Sequence, residues 1–220
     1  MVSRPETRTE IRLPEAGEPT RHTVPVEAAT AGASIADPAP LGLAGFALTL
    51  FVLSVFNAGI VGASLSAVVL PVALFYGGIM LVLAGMWEFR RANTFGTLVF
   101  ASYGSFWLSY AAFAQFVAPG LPVATAYRAV GTYLLAWTIF TFMLTIVAIR
   151  TNGAFLAVFV TLLATFVLLT VGTLSTTSSI IKAAGWAGLV TAAIAWYTSF
   201  ALVCNSTWGK DLFPLFPLTR

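Results

Sequence analysis

The sequence predicts an all-α integral membrane protein with six transmembrane helices per protomer, on three observations. Of its 220 residues, 59% are apolar and only 9% charged, whereas a soluble domain carries about 25%. Too few polar side chains remain to cover a water-facing surface. Between Asp37 and Lys210 the only charged residues are Glu88, Arg90, Arg91, Arg128, Arg150 and Lys182. The apolar intervals between them fit the roughly 20 helical residues needed to cross about 30 Å of hydrocarbon.

Residues 1–36 contain no aromatic residue and are rich in Pro, Glu, Arg and Thr. Such a segment cannot bury enough apolar surface to offset the entropy of ordering, so it predicts a disordered cytoplasmic tail. No short apolar stretch follows its Arg residues ahead of the first long span, which excludes a signal peptide. The charge-free interval 38–87 holds two spans, 40–62 and 68–87, parted near Gly62-Ala63-Ser64-Leu65-Ser66. Pro71 follows, and a proline is tolerated in the first turns of a helix, where its missing N–H would be unpaired anyway. A third span over 94–116 ends in a turn-rich connection containing Pro119, Gly120 and Pro122. Spans over 129–149, 153–174 and 183–204 complete a single transmembrane domain at 37–205, with a short cytoplasmic tail at 206–220.

Orientation follows from basic residues in the short loops. Arg90, Arg91 and Arg150 share the side of the termini; Arg128 and Lys182 lie on the other. Both termini are therefore expected in the cytoplasm of a multi-pass protein of the cell membrane. Small residues cluster at Gly42 and Gly45, Gly77 and Gly78, Ala84 and Gly85, and Gly185 and Gly188, where they let helix backbones approach closely.

The chemistry is constrained as sharply. The one cysteine, Cys204, allows no intramolecular disulfide, and the one histidine, His22, lies in the tail. No acidic residue falls inside a span; Glu88 stands at the end of the second. Metal sites, histidine-based catalysis and mid-membrane carboxylate relays therefore lack their residues, and neither an enzyme nor a cofactor is expected. A net charge of +3, scattered, gives no nucleic-acid footprint. The spans instead carry hydroxyls and amides. Singly, each is an ordinary helix–helix hydrogen bonder; together Thr49, Asn57, Tyr76, Ser102 and Thr161 are candidates to line a path for a small polar solute such as a monocarboxylate or its neutral acid. Asn57 carries two readings, binding an entering carboxylate or capping its helix, with Gly59 supplying the turn.

Several motifs carry a family resemblance. Asp37-Pro38-Ala39-Pro40-Leu41-Gly42-Leu43 is similar to the Asn-Pro-Ala-Pro-Leu-Gly-Leu signature of the acetate uptake transporter family, also called succinate–acetate permeases. Phe56-Asn57-Ala58-Gly59, Phe75-Tyr76-Gly77-Gly78, the run from Ala84 to Gly96, Ser102-Tyr103-Gly104-Ser105-Phe106-Trp107-Leu108, and Ala183-Ala184-Gly185-Trp186-Ala187-Gly188-Leu189 resemble other stretches of that family. The resemblance implies a six-helix protomer in a homohexamer that moves acetate, and sometimes succinate or related short carboxylates, as a channel or proton-linked permease. It also implies a hydrophobic constriction formed by a Phe, a Tyr and a Leu, here Phe46, Tyr103 and Leu162. They lie six to nine residues into spans that run the same way, about 9–14 Å deep, and the Tyr103 hydroxyl could offer a dehydrating anion one hydrogen bond. Two positions depart from the pattern: Asp37 replaces Asn, and Leu81 stands where Gln is usual. The rivals are movement of ammonia or ammonium, proposed for some fungal relatives, and a membrane scaffold or sensor whose working part is the tail.

Overall fold

The computed structural model describes residues 35–218; the tail expected over 1–36 lies almost wholly outside them. Six long helices follow one another: α1 Ala39–Asn57, α2 Ala63–Arg90, α3 Thr94–Ala112, α4 Ala126–Ala148, α5 Gly153–Leu174 and α6 Ser178–Trp208. Five of these are long and apolar enough to cross a membrane. The sixth, α3, carries Ser102, Tyr103, Ser105, Ser109 and Tyr110. Much of α3 packs inside the protein, burying Thr97, Tyr103, Phe106 and Trp107, while the exposed Ser105 and Ser109 donate to the Ala101 and Phe106 carbonyls of their own helix. The protein is thus an all-helical, multi-pass membrane protein.

The ends of the helices follow local chemistry. At the end of α1, Gly59 takes a positive φ of 76°. The Gly59 and Ile60 amides donate to the Phe56 and Val55 carbonyls, closing a Schellman motif. The Asn57 amide takes no part in it. Helix α2 begins as a 3₁₀ segment over Ala63–Val68 and widens to a π turn over Phe75–Met80 before resuming as α-helix at Leu81. Gly77 and Gly78 sit in that π turn, and π turns frequently mark functional positions. Between α2 and α3, Ala92 takes a φ of 56°. Asn93 and Asn152 then accept from the Gly96 and Phe155 amides and cap α3 and α5.

Helix α1 lies against α6, α6 against α5, α5 against α4, and α2 against α3 and α1. Hydrocarbon does not drive helices together, so close packing and hydrogen bonds must. The glycines supply the packing. A Cβ on Gly185 would collide with the Ala58 backbone, one on Gly85 would lie 2.6 Å from the Ala101 nitrogen, and one on Gly77 would lie 2.5 Å from the Thr49 hydroxyl. The small-residue clusters read from the sequence are therefore intramolecular seams at these positions. Hydroxyl pairs add interhelical bonds: Tyr103 with Thr141 at 2.8 Å, Thr138 with Thr170 at 2.8 Å and Thr165 with Thr191 at 3.3 Å.

Beyond α6 the chain turns back. Asn205 accepts from the Leu212 and Phe213 amides and donates to the Phe213 carbonyl. The Phe216 and Leu215 carbonyls then accept from the Gly153 and Ala154 amides, satisfying two donors that the start of α5 would leave orphaned.

Candidate functional site

Phe46, Tyr103 and Leu162 meet at the centre of the bundle. They line one narrow cavity of about 20 Å³ together with Leu43, Leu81, Val99, Phe100, Phe155, Val158 and Phe159. They lie seven, nine and nine residues past the helix starts Ala39, Thr94 and Gly153, which is roughly 10–14 Å of rise. All three are buried, and the cavity wall is entirely apolar. A volume of this size holds about one water, far less than a hydrated carboxylate. Tyr103 packs edge-on to Phe46 with ring centroids 5.9 Å apart, and against Phe140 and Phe159 at 6.0 and 6.3 Å. Such pairs each add about 0.5–1.5 kcal/mol beyond burial, so the ring is held rigidly.

The Tyr103 hydroxyl is not free to serve a solute as the sequence suggested. Thr141 donates its proton to the Trp137 carbonyl at 2.7 Å, so in the 2.8 Å Tyr103–Thr141 contact the tyrosine is the donor. That proton is committed to α4 and faces away from the apolar cavity. The polar path candidates do not converge here either. The Thr49 hydroxyl donates to the Gly45 carbonyl and fills the seam with Gly77. Thr161 donates back to the Ala157 carbonyl at 2.8 Å. Tyr76 lines a separate groove beside α6, and Ser102 is half-buried on α3. Asn57 lies at the far end of α1, beside Gly185. Leu81, by contrast, is fully buried in the wall of the constriction; the sequence flagged it only as a departure from a pattern.

The face that carries both described chain ends opens into a vestibule of about 300 Å³. Its wall shares Phe100 and Phe155 with the constriction, so the two spaces adjoin. Three helices, α1, α3 and α5, begin at this vestibule, at Ala39, Asn93–Gly96 and Asn152–Phe155. Each helix start carries about half a positive charge from its aligned peptide dipoles, which favours anions. Arg91 adds a full positive charge. It donates to Asp37 at 2.6 Å and stands 3.6 Å from Glu88. Glu88 is fully buried, accepts from the Asn93 amide at 2.9 Å, and leaves Oε1 without a partner among the described residues. Of this cluster the sequence named only Asp37, as the first residue of the signature motif and a departure from it; Glu88, Arg91 and Asn93 were not assigned to the site. The signal was present in the spacing of Glu88, Arg91 and Asn93, but the long-range partner, Asp37, is visible only once α1 and α2 are side by side.

A six-helix membrane bundle in which a charged vestibule adjoins an apolar cavity has the architecture of a protein that passes small solutes rather than one that transforms them. Over residues 21–219 the chain matches the profile described as the GPR1/FUN34/yaaH family, and it belongs to that family, whose members are transporters or channels and not enzymes. It is 36% identical to the Escherichia coli K12 succinate-acetate/proton symporter SatP, over 82% of this chain and 95% of that protein. It is 42% identical to accumulation of dyads protein 2 of Saccharomyces cerevisiae, over 83% of this chain and 66% of that protein. It is 41% identical to the ammonia transport outward protein 2 of the same yeast, over 76% of this chain and 61% of that protein. The chain thus spans two thirds or less of these yeast relatives. The solved structure of the bacterial acetate channel SatP superposes with a TM-score of 0.77 at 36% identity, covering 82% of this chain and 99% of that one.

Proposed function

We propose that this protein moves acetate and related short-chain carboxylates across the cell membrane, with both termini in the cytoplasm. The observation that carries the reading is the vestibule, where three helix starts and Arg91, the last shared with Asp37 and Glu88, adjoin an apolar neck. At that neck an anion sheds water with no partner to replace it, which is costly, and a hydrophobic constriction can gate by dewetting. The undissociated acid carries its own proton and meets a lower barrier, so both a proton-linked permease and a passive channel are compatible with the geometry. The homohexamer implied by the family resemblance belongs to the same proposal; exposed Phe75, Trp87, Phe89, Trp186 and Phe200 give an apolar exterior to divide between lipid and neighbouring copies.

A second reading has one specific observation behind it. The unpartnered Glu88 oxygen is an acceptor that an ammonium ion would satisfy, and one yeast relative carries ammonia transport in its name. Purified protein in liposomes separates the two: radiolabelled acetate and succinate in one arm, methylammonium in the other, each with and without residues 1–34. Acetate uptake that survives loss of the tail, and rises or admits larger acids in Leu162→Ala and Phe46→Ala, supports the carboxylate path. Methylammonium flux without acetate flux supports the second reading. If both substitutions leave rate and selectivity unchanged, the neck lies elsewhere. A protein that moves neither solute with the tail intact is a scaffold or sensor.

A further inference from the structure

We propose that Arg91 is a carboxylate-binding station in the vestibule and that Asp37 is its built-in occupant, which an arriving substrate carboxylate must displace. The proposal rests on the carboxylate reading above and names a site within it. Arg91 Nη1 holds Asp37 Oδ1 at 2.6 Å, and each side chain is about a third exposed, 34% and 35%, so the pair meets solvent in the mouth of the path. A short carboxylate presents the same chemistry as the aspartate side chain, and guanidinium is the planar donor suited to it. Arg91 carries a single positive charge, and the resident carboxylate already offsets it, so the resident one competes with the arriving one for that charge.

Glu88 gives the station its permanence. It stands one helical turn before Arg91 and is fully buried, with Oε2 3.6 Å from Arg91 Nη1. Asn93 fixes that carboxylate through a 2.9 Å bond. When Asp37 leaves, the guanidinium stays tethered to the vestibule wall. Glu88 lines the same space, but its Oε1 is buried and has no partner among the described residues. Asp37 has the opposite character: it stands on the short segment before α1, and the same Oδ1 also accepts from the Ala39 amide at 3.0 Å. An asparagine there keeps an oxygen for that amide and removes the charge, so Asp37→Asn separates the latch from the cap.

The test measures half-saturation for acetate in liposomes of known protein orientation, with acetate offered from the face that carries Asp37. Asp37→Asn should lower the half-saturating concentration about two- to fivefold, the worth of a partly exposed ion pair. Arg91→Gln should raise it, and Asp37→Asn made in that background should then change nothing. An unchanged half-saturation in Asp37→Asn, or an equal fall with and without Arg91, overturns the latch. Should Arg91→Gln fail to fold, acetate-dependent thermal stabilisation of wild type and Asp37→Asn in detergent decides. The variant must then reach its half-maximal shift at lower acetate; identical curves overturn the proposal. A wild type that moves methylammonium and no carboxylate removes the carboxylate reading itself, and the latch with it.

Discussion

Leu81 shows how one side chain can set the character of the neck. It is fully buried, its side chain lies against Gly45, and it completes an apolar wall around about 20 Å³. Leu81→Gln would place an amide in that wall, giving a second carboxylate group one hydrogen bond it otherwise forgoes. One such bond is worth about 1 kcal/mol, so the ratio of succinate to acetate uptake should rise about fivefold; an unchanged ratio would show that selectivity is set outside the neck. Tyr103→Phe tests the neighbouring position. Because the hydroxyl proton is committed to Thr141, the variant should lose about 1 kcal/mol of stability in thermal unfolding while keeping the wild-type acetate rate. The sequence named Phe46, Tyr103 and Leu162 through depth and motif, and the fold brings the three side chains to one cavity. It did not reveal where the Tyr103 hydroxyl points, because Thr141 lies 38 residues away and nothing in local spacing links them. Thr49 and Thr161 read alike in sequence and turn out to bond to carbonyls four residues back on their own helices.

At the scale of helices, legibility followed charge and turn chemistry. The fence of charged residues marked most helix ends within a few positions, but the first span, expected to run to 62, ends at Asn57, where Gly59 supplies the turn. The extent of α6, 31 residues from Ser178 to Trp208, was underestimated at both ends, because the residues up to Lys182 and the polar last turn from Asn205 lie outside the apolar run. That last turn matters: Asn205 makes three bonds that bring the returning chain to the start of α5. Asn205→Ala should release that segment and leave the Gly153 and Ala154 amides without their carbonyl partners. Loss of this network is expected to lower stability by about 1–3 kcal/mol, read as a fall in unfolding temperature and as new protease cleavage beyond Trp208. The seam between α1 and α6 is less forgiving. Gly185→Val would drive a branched side chain into the Ala58 backbone. Overpacking costs roughly 1–3 kcal/mol or more, so folded yield in detergent should fall sharply; a normal yield would mean that the two helices separate more easily than their packing indicates.

For the whole molecule, the even number of helices places the start of α1, the α2–α3 and α4–α5 connections and the end of α6 on one face, joined there by Asp37–Arg91 and by Leu218 with Thr151. Which side of the membrane that face occupies is a question of charge rather than of fold. Arg90, Arg91 and Arg150 lie on it, whereas Arg128 and Lys182 lie on the other, and basic residues in short loops are retained in the cytoplasm. The margin is one residue, so orientation is worth measuring directly. Single cysteines at Thr125 and Ser179, both exposed on the face opposite the termini, should react with an impermeant maleimide in intact cells. A cysteine at Asp211, exposed beyond α6, should react only after the cells are opened. Asp211 suits this better than Asn93, whose side chain caps α3 and holds Glu88. Cys204 is buried and can be replaced by alanine first, so that it contributes no background. Labelling at Asp211 in intact cells, with Thr125 and Ser179 silent, would invert the protein in the membrane. The vestibule with Arg91 would then face the outside and serve as the loading mouth for uptake rather than the release mouth, and the Asp37 latch would act on entering acids.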